Sequence, residues 1–218
     1  DYQREAFGWC ALPFTRTAKI PQPIMKPLKV NEWFYSLQGE GRRAGEASIF
    51  IRLTGCDLTC GFCDTEFESG KEMTVEEICK AIAEYPCRWI VWTGGEPTLQ
   101  LTAAHVEHFK AKGYRQAIET NGNNRAAAGL DWVCVSPKVA EHVVKKNFPN
   151  GVNELRYVRH KNQVAAPEPM IEAEHYYVSP MFDGADVNRE NLKRCLKVVL
   201  ENPEWKLSLQ THKLTSTL

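Results

Sequence analysis

From Ser48 onward, short apolar runs rich in β-branched and aromatic residues alternate with segments of helical period, a pattern that calls for βα units around a largely parallel sheet. The runs "SIFIRL" (48–53), "WIVWTG" (89–94), "QAIETN" (116–121), "WVCVS" (132–136), "ELRYV" (154–158), "YYVSP" (176–180) and "KLSLQ" (206–210) read as strands. Between the first two lies "TVEEICKAIAEY" (74–85), where Thr74 and Glu77 form a capping box and Val75, Ile78, Cys79 and Ile82 make one apolar stripe. A second helix is expected over 102–113, stopped by Gly113, and a third over 187–201, closed by Asn202-Pro203. Three helices are few for this many strands, so some crossovers should be reduced to loops.

The polar residues gather at the strand ends. "TGC" follows the first strand, "TGGEP" the second, "ETNG" the third, "SPK" the fourth, "SP" the sixth and "QTH" the last. In sheets of βα units, ligands are held at the carboxyl ends of the strands, so these motifs point into one mouth.

Residues 1–28 differ from the rest of the chain, with four prolines from Pro13 to Pro27 and no sustained period. They are expected to form an extension outside a core domain spanning 29–218; the part before Met25 reads as an added leader or an over-extended start site. The 27 basic and 27 acidic residues cancel, which gives no overall electrostatic case for a nucleic-acid partner and favours a small one. No apolar run reaches the length of a membrane helix. Eight cysteines without a signal-peptide pattern suit reduced thiols in the cytoplasm better than a disulfide scaffold.

Cys56, Cys60 and Cys63 form a CxxxCxxC loop directly after the first strand. Zinc, a disulfide, inert thiols and an iron–sulfur cluster are the alternatives. Structural zinc closes a tetrahedron with four Cys or His ligands, and no fourth ligand stands nearby: Cys79 lies in a helix stripe, Cys134 in a strand, Cys195 on a late helix. Clusters also commonly take four cysteines, so three suggest a [4Fe–4S] cluster with one iron open to a non-protein ligand.

The loop, with Phe62 before its last cysteine, resembles that of the radical S-adenosylmethionine (SAM) enzymes. The resemblance implies a partial, reduced (β/α)6 barrel in which the open iron binds the methionine part of SAM and one electron releases a 5'-deoxyadenosyl radical. "TGGEP" matches the family's second signature. More narrowly, "NEWFYSLQGEG", "FIRLTGCDLTCGFCDT", "VWTGGEP", "ETNG", "VSPK" and "LSLQTHK" resemble the 7-carboxy-7-deazaguanine synthase family. Members rearrange 6-carboxy-5,6,7,8-tetrahydropterin into 7-carboxy-7-deazaguanine with loss of ammonia, on the route to queuosine.

That resemblance implies site residues. Leu37, Gln38, Gly39, Arg52 and Thr93 match the pterin-binding positions, and the Arg52 fork suits a carboxylate. Thr65 matches a Mg²⁺ ligand, the metal completed by waters and substrate oxygens. Phe62, Cys63, Asp64, Gly95, Ser136, Pro137, Lys138, Ser179, Pro180, Met181 and Phe182 match SAM contacts. Ser179 stands where many relatives have Gln, and Glu119 is a secondary candidate for the ribose. No general base is assignable; His212 lies near the mouth, where a late-strand histidine is more often structural. A homodimer and a flavodoxin or ferredoxin electron donor are further implied. A glycyl-radical-enzyme activase would share the cluster loop but lack "LQGEG" and the Asp64-Thr65 pair; a non-catalytic zinc or iron–sulfur module would leave the strand-end motifs unexplained.

Overall fold

The computed structural model describes residues 25–61, 63 and 66–215. Most of the expected extension, residues 1–24, lies outside these, as do Phe62, Asp64 and Thr65.

One nine-stranded sheet organises the described residues. In chain order the strands are β1 (Leu28–Leu37), β2 (Ala47–Leu53), β3 (Lys71–Met73), β4 (Trp89–Gly94), β5 (Arg115–Thr120), β6 (Trp132–Val135), β7 (Val152–Arg159), β8 (Ala173–Pro180) and β9 (Trp205–Leu207). Their spatial order is β3-β1-β2-β4-β5-β6-β7-β8-β9, with β3 and β9 at the open edges. From β2 to β9 all neighbours are parallel, and these seven strands are the seven apolar runs of the sequence. β1 pairs antiparallel with both β2 and β3, capping the parallel sheet on one side.

The helices are α1 (Val75–Ile82), α2 (Ala103–Ala111), α3 (Glu141–Asn147), α4 (Arg189–Glu201) and the short α5 (Thr211–Thr215). At the start of α1, Glu77 N–H donates to Thr74 Oγ1 (3.2 Å) and Thr74 N–H to Glu77 Oε2 (2.7 Å), the reciprocal box that satisfies two orphan donors. α4 begins at Arg189 rather than 187, because Asn188 caps it by accepting from Asn191 N–H at 2.9 Å. The crossovers β5 to β6 and β7 to β8 carry no helix, so the expected thinning of the helical layer falls on those two connections.

Period-2 alternation separates two faces. Ile49, Ile51 and Leu53 of β2, Ile90 and Trp92 of β4 and Ile118 of β5 join Ile78, Ile82, Val106 and Phe109 of α1 and α2 in one core. A second core gathers Val135, Leu155, Tyr157 and Val178 with Val144 of α3 and Cys195 and Val198 of α4. Trp92 meets Phe109 edge-on at 5.2 Å, and its indole N–H donates to Gln116 Oε1 at 3.0 Å, so its one polar atom is satisfied in the core. The other face of the sheet carries the polar alternates: Arg52, Thr93, Glu119, Cys134, Glu154 and Arg156. That face is where the cleft opens.

Candidate active site

A cleft of about 740 Å³ lies at the carboxyl ends of the parallel strands. Cys56, Cys60 and Cys63 line one wall; Thr93 and Gly95 follow from β4, Glu119 from β5, Ser136 and Lys138 from β6, and Ser179, Pro180, Met181 and Phe182 from β8. These are sequence-derived candidates from five separate segments, collected in one place because each sits at the end of a strand in the same parallel sheet.

The glycine turn after β4 has a direct steric reason. A Cβ on Gly95 would lie 2.0 Å from the Gly55 carbonyl oxygen, and one on Gly94, whose φ is +119°, would lie 2.1 Å from Leu53 O. Two backbone bonds lock the approach: Gly95 N–H to Leu53 O (3.0 Å) and Glu96 N–H to Gly55 O (2.8 Å). The start of the cysteine loop is thereby fixed against the glycine turn. Glu96 is fully buried, and its carboxylate accepts from Thr98 N–H, Thr98 Oγ1, Thr120 Oγ1 and Asn121 N–H at 2.6–3.0 Å. Burial raises its pKa against the opposing pull of those four donors.

The floor of the cleft is ionic. Arg156 on β7 is buried and paired with Glu154 (2.9 Å), Glu40 (3.6 Å) and Glu119. Burial acts against its charge, but the surrounding carboxylates outweigh it and hold the guanidinium firmly protonated. The Cys134 thiol, whose pKa burial raises far above the ordinary value, donates to Glu154 at 3.4 Å. One cation thus serves three carboxylates, and the surplus of acceptors faces a cavity. Lys138 balances the opposite rim: its ammonium donates to Ser136 O (3.1 Å) and Oγ (2.6 Å), and burial together with the Arg156 charge lowers its pKa.

The segment "LQGEG" crosses this floor and is pinned there. Gln38 is buried with both ends of its amide engaged, Nε2 donating to Glu119 Oε1 (3.0 Å) and Oε1 accepting from Glu40 N–H (3.1 Å). Its side chain orients Glu119. Gly39 O accepts from Thr211 N–H (3.0 Å) and Oγ1 (2.8 Å), and a Cβ on Gly39 would lie 2.1 Å from His212 Nδ1. Gly41, at φ +68°, packs against the Glu154 carboxylate, which a Cβ would reach at 1.9 Å.

Other sequence-derived residues stand beside the cleft rather than on its wall. The Leu37 side chain is exposed, and Pro137 sits between two lining residues. Arg52 is in register with Thr93 on the neighbouring strand, where it pairs with Glu32 at 2.7 Å and lies over Phe34. His212 packs on Gly39, while its neighbours Gln210 and Lys213 line the cleft. Phe62, Asp64 and Thr65 fall outside the described residues.

Glu40 and Arg156 were not singled out from the sequence. Both had a signal: Glu40 lies inside "LQGEG", and the alternation of "ELRYV" puts Glu154 and Arg156 on one face of a central strand, where two charges require partners.

Comparison with known proteins gives this geometry its family. Residues 50–157 match the profile of the radical SAM superfamily. A 7-carboxy-7-deazaguanine synthase of Bacteroides thetaiotaomicron is 38% identical over 186 residues, spanning 85% of this chain and 96% of the relative. One of Caulobacter vibrioides is 39% identical over 208 residues, covering 84% and 96%. The chain belongs to the 7-carboxy-7-deazaguanine synthase family of radical SAM enzymes. The fold agrees: the crystal structure of QueE from Escherichia coli superposes with a TM-score of 0.67 at 22% identity, covering 84% of this chain and 93% of that one.

Membership of the superfamily implies a [4Fe–4S] cluster and SAM. The donor set fits in kind and number, with three cysteines outside any disulfide lining one wall of a cleft. Among the described residues no three His, Cys, Asp or Glu side chains are already drawn together at a metal-holding spacing, so the thiols face the cleft without yet converging on one point. Burial raises the Cys56 pKa, with the nearby Asp57 and Glu96 carboxylates adding to it, so a metal bound by this thiol would displace its proton. No helix among the described residues is long and apolar enough to cross a membrane.

Proposed function

We propose that this cleft carries out the SAM- and Mg²⁺-dependent ring contraction of 6-carboxy-5,6,7,8-tetrahydropterin to 7-carboxy-7-deazaguanine, with release of ammonia. One observation carries the reading: three thiols, a glycine turn and an acceptor-rich ionic floor line a single cleft of about 740 Å³.

A bound cluster and SAM would supply the one-electron chemistry needed to remove a hydrogen atom from C6 of the pterin. The chain's own residues bind, orient and exclude water. Cys56, Cys60 and Cys63 would hold the cluster. Gly95 lets the β4 turn approach SAM, and the strand-end residues Ser136 to Lys138 and Ser179 to Phe182 would flank it. Glu40 and Glu119 present acceptors for the donor groups of ribose or pterin, held in place by Arg156 and Gln38. Arg52, adjacent to Thr93, suits the substrate carboxylate, and Thr65 a Mg²⁺ ion that keeps several waters. A flavodoxin- or ferredoxin-type donor and a homodimeric assembly in the cytoplasm complete the proposal.

The test is turnover. Reduced, reconstituted protein is incubated without oxygen with SAM, Mg²⁺ and the carboxytetrahydropterin, and the product is weighed. A product lighter by one ammonia supports the reading; an intact cluster by electron paramagnetic resonance without that product overturns it and favours the activase. Thr65→Ala should weaken the Mg²⁺ dependence of the rate, and an unchanged dependence removes Thr65 from the site.

A further inference from the structure

The first cysteine of the loop is followed by Asp57, an exposed residue whose carboxylate collects three side-chain amides from the segment after β5. Asn121 Nδ2 donates to Oδ1 at 3.0 Å, and Asn123 Nδ2 and Asn124 Nδ2 donate to Oδ2 at 2.8 and 2.6 Å. An exposed carboxylate needs no such partners to stay hydrated, and ordering four side chains costs conformational entropy, so the convergence calls for a reason.

The amides are themselves held from beneath. Asn121 N–H donates to the buried Glu96 Oε2 (2.8 Å), and Asn123 N–H to Asn121 Oδ1 (2.8 Å). Asn147, at the end of α3, donates to the Gly122 and Asn123 carbonyls at 3.1 and 2.7 Å. Asp57 is therefore moored to a platform built from the β4 turn, the end of β5 and α3. On the other side of Cys56, Gly55 O accepts from Glu96 N–H (2.8 Å) and Gly55 N–H donates to Phe67 O (2.9 Å). Cys56 stands between two anchors. Asp57 itself does not line the cleft, which separates it from the ligand-facing groups.

We propose that Asp57 is a positioning residue for the cysteine loop: its bonds to Asn121, Asn123 and Asn124 fix Cys56 at the cleft wall, so that the loop assembles around an iron–sulfur cluster from that fixed thiol outward. The proposal rests on the reading of Cys56, Cys60 and Cys63 as cluster ligands, and it deepens that reading by naming what holds the first of them.

Two readouts test it without turnover. In cluster-free protein, hydrogen exchange of residues 55–61 is measured for the native chain, Asp57→Ala, Asp57→Asn and the double variant Asn123→Ala/Asn124→Ala. Losing charge-assisted bonds should speed local opening about tenfold in Asp57→Ala and in the double variant, with Asp57→Asn between them and the native chain. In reconstituted protein, release of iron to a chelator should speed up by about the same factor, and combining all three alanines should add little beyond Asp57→Ala, because both sides of one contact are then removed. Thermal melting of the cluster-free variants shows whether each is folded; the asparagine pair reads the same contact should Asp57→Ala fail to fold. Unchanged loop exchange in both alanine variants, or chelator effects that simply multiply, overturns the role of Asp57. A native chain that takes up no iron and sulfide overturns the cluster reading instead, and the exchange arm distinguishes the two failures.

Discussion

Replacing Arg156 with Met removes the shared cation from three carboxylates, of which Glu154 is buried and Glu40 and Glu119 are part-buried. Arg156 meets Glu154 at 2.9 Å and Glu40 at 3.6 Å and also pairs with Glu119, and Glu154 is only 2% exposed. At an effective dielectric of about 20, each such contact is worth roughly 4–6 kcal/mol of attraction, most of it offset by the desolvation that brought the charges inside. Breaking the set by deleting one partner is a different matter, because Glu154 stays buried without its cation while Glu40 and Glu119 crowd it from part-buried positions; the net loss is then roughly 3–5 kcal/mol. For a chain of this size about 2–4 °C of melting temperature accompanies each kcal/mol, so Arg156→Met should melt on the order of 6–20 °C lower. Differential scanning calorimetry of the cluster-free protein measures it. Combining Arg156→Met with Glu119→Gln and Glu154→Gln should recover much of the loss, since the repulsion is removed with the cation. A melting temperature within about 2 °C of the native chain for the single variant, or no recovery in the triple one, would refute the claim that this network holds the cleft floor together.

Two further expectations rest on particular contacts. Gly95→Ala drives a Cβ to 2.0 Å from the Gly55 carbonyl, a backbone obstacle, and should cost about 1–3 kcal/mol in denaturant unfolding and weaken SAM binding by calorimetry; Gly61→Ala, with nothing within 4 Å, should leave unfolding unchanged. The Glu66 carboxyl is held down to about 2, from an ordinary 4.5, by the Ser69 N–H first, then the Ser69 hydroxyl and Glu68 N–H. A depressed folded pKa stabilises above the ordinary value and loses that contribution as pH falls, so the turn over 66–69 should loosen between about pH 4.5 and 2, seen as a Ser69 amide shift by NMR, and Ser69→Ala should move the midpoint upward.

The parallel half of the sheet was legible because each of its strands is an apolar run ended by a turn or capping residue, the local signature that crossover connections impose. β1 was not, and its physical reason is visible: the pairing with β2 shifts register between Val30 and Glu32, so Leu28 and Val30 join the core in one phase while Trp33 joins it in the other. A broken period looks like a loop. β3 is three residues long and α5 five, too short for any period to declare itself. Within the cleft, the residues marked by chemistry were found: three thiols, a glycine pair, strand-end polar groups. Missed were the residues whose role depends on a partner far away in sequence. Arg156 gains meaning from Glu40 and Glu119, and the bond of Gln38 to Glu119 joins residues 81 positions apart, because the floor of a sheet is assembled from strands that the sequence keeps apart.

The reaction proposed for this cleft would take hydrogen from C6 of the pterin and would use SAM as a cofactor that is re-formed rather than consumed. Turnover of substrate carrying deuterium at C6, with mass spectrometry of the recovered SAM, probes both halves of that statement at once. Deuterium is expected in the 5'-methylene of SAM; deuterium retained in the product, or SAM cleaved one for one without any label, would rule this chemistry out.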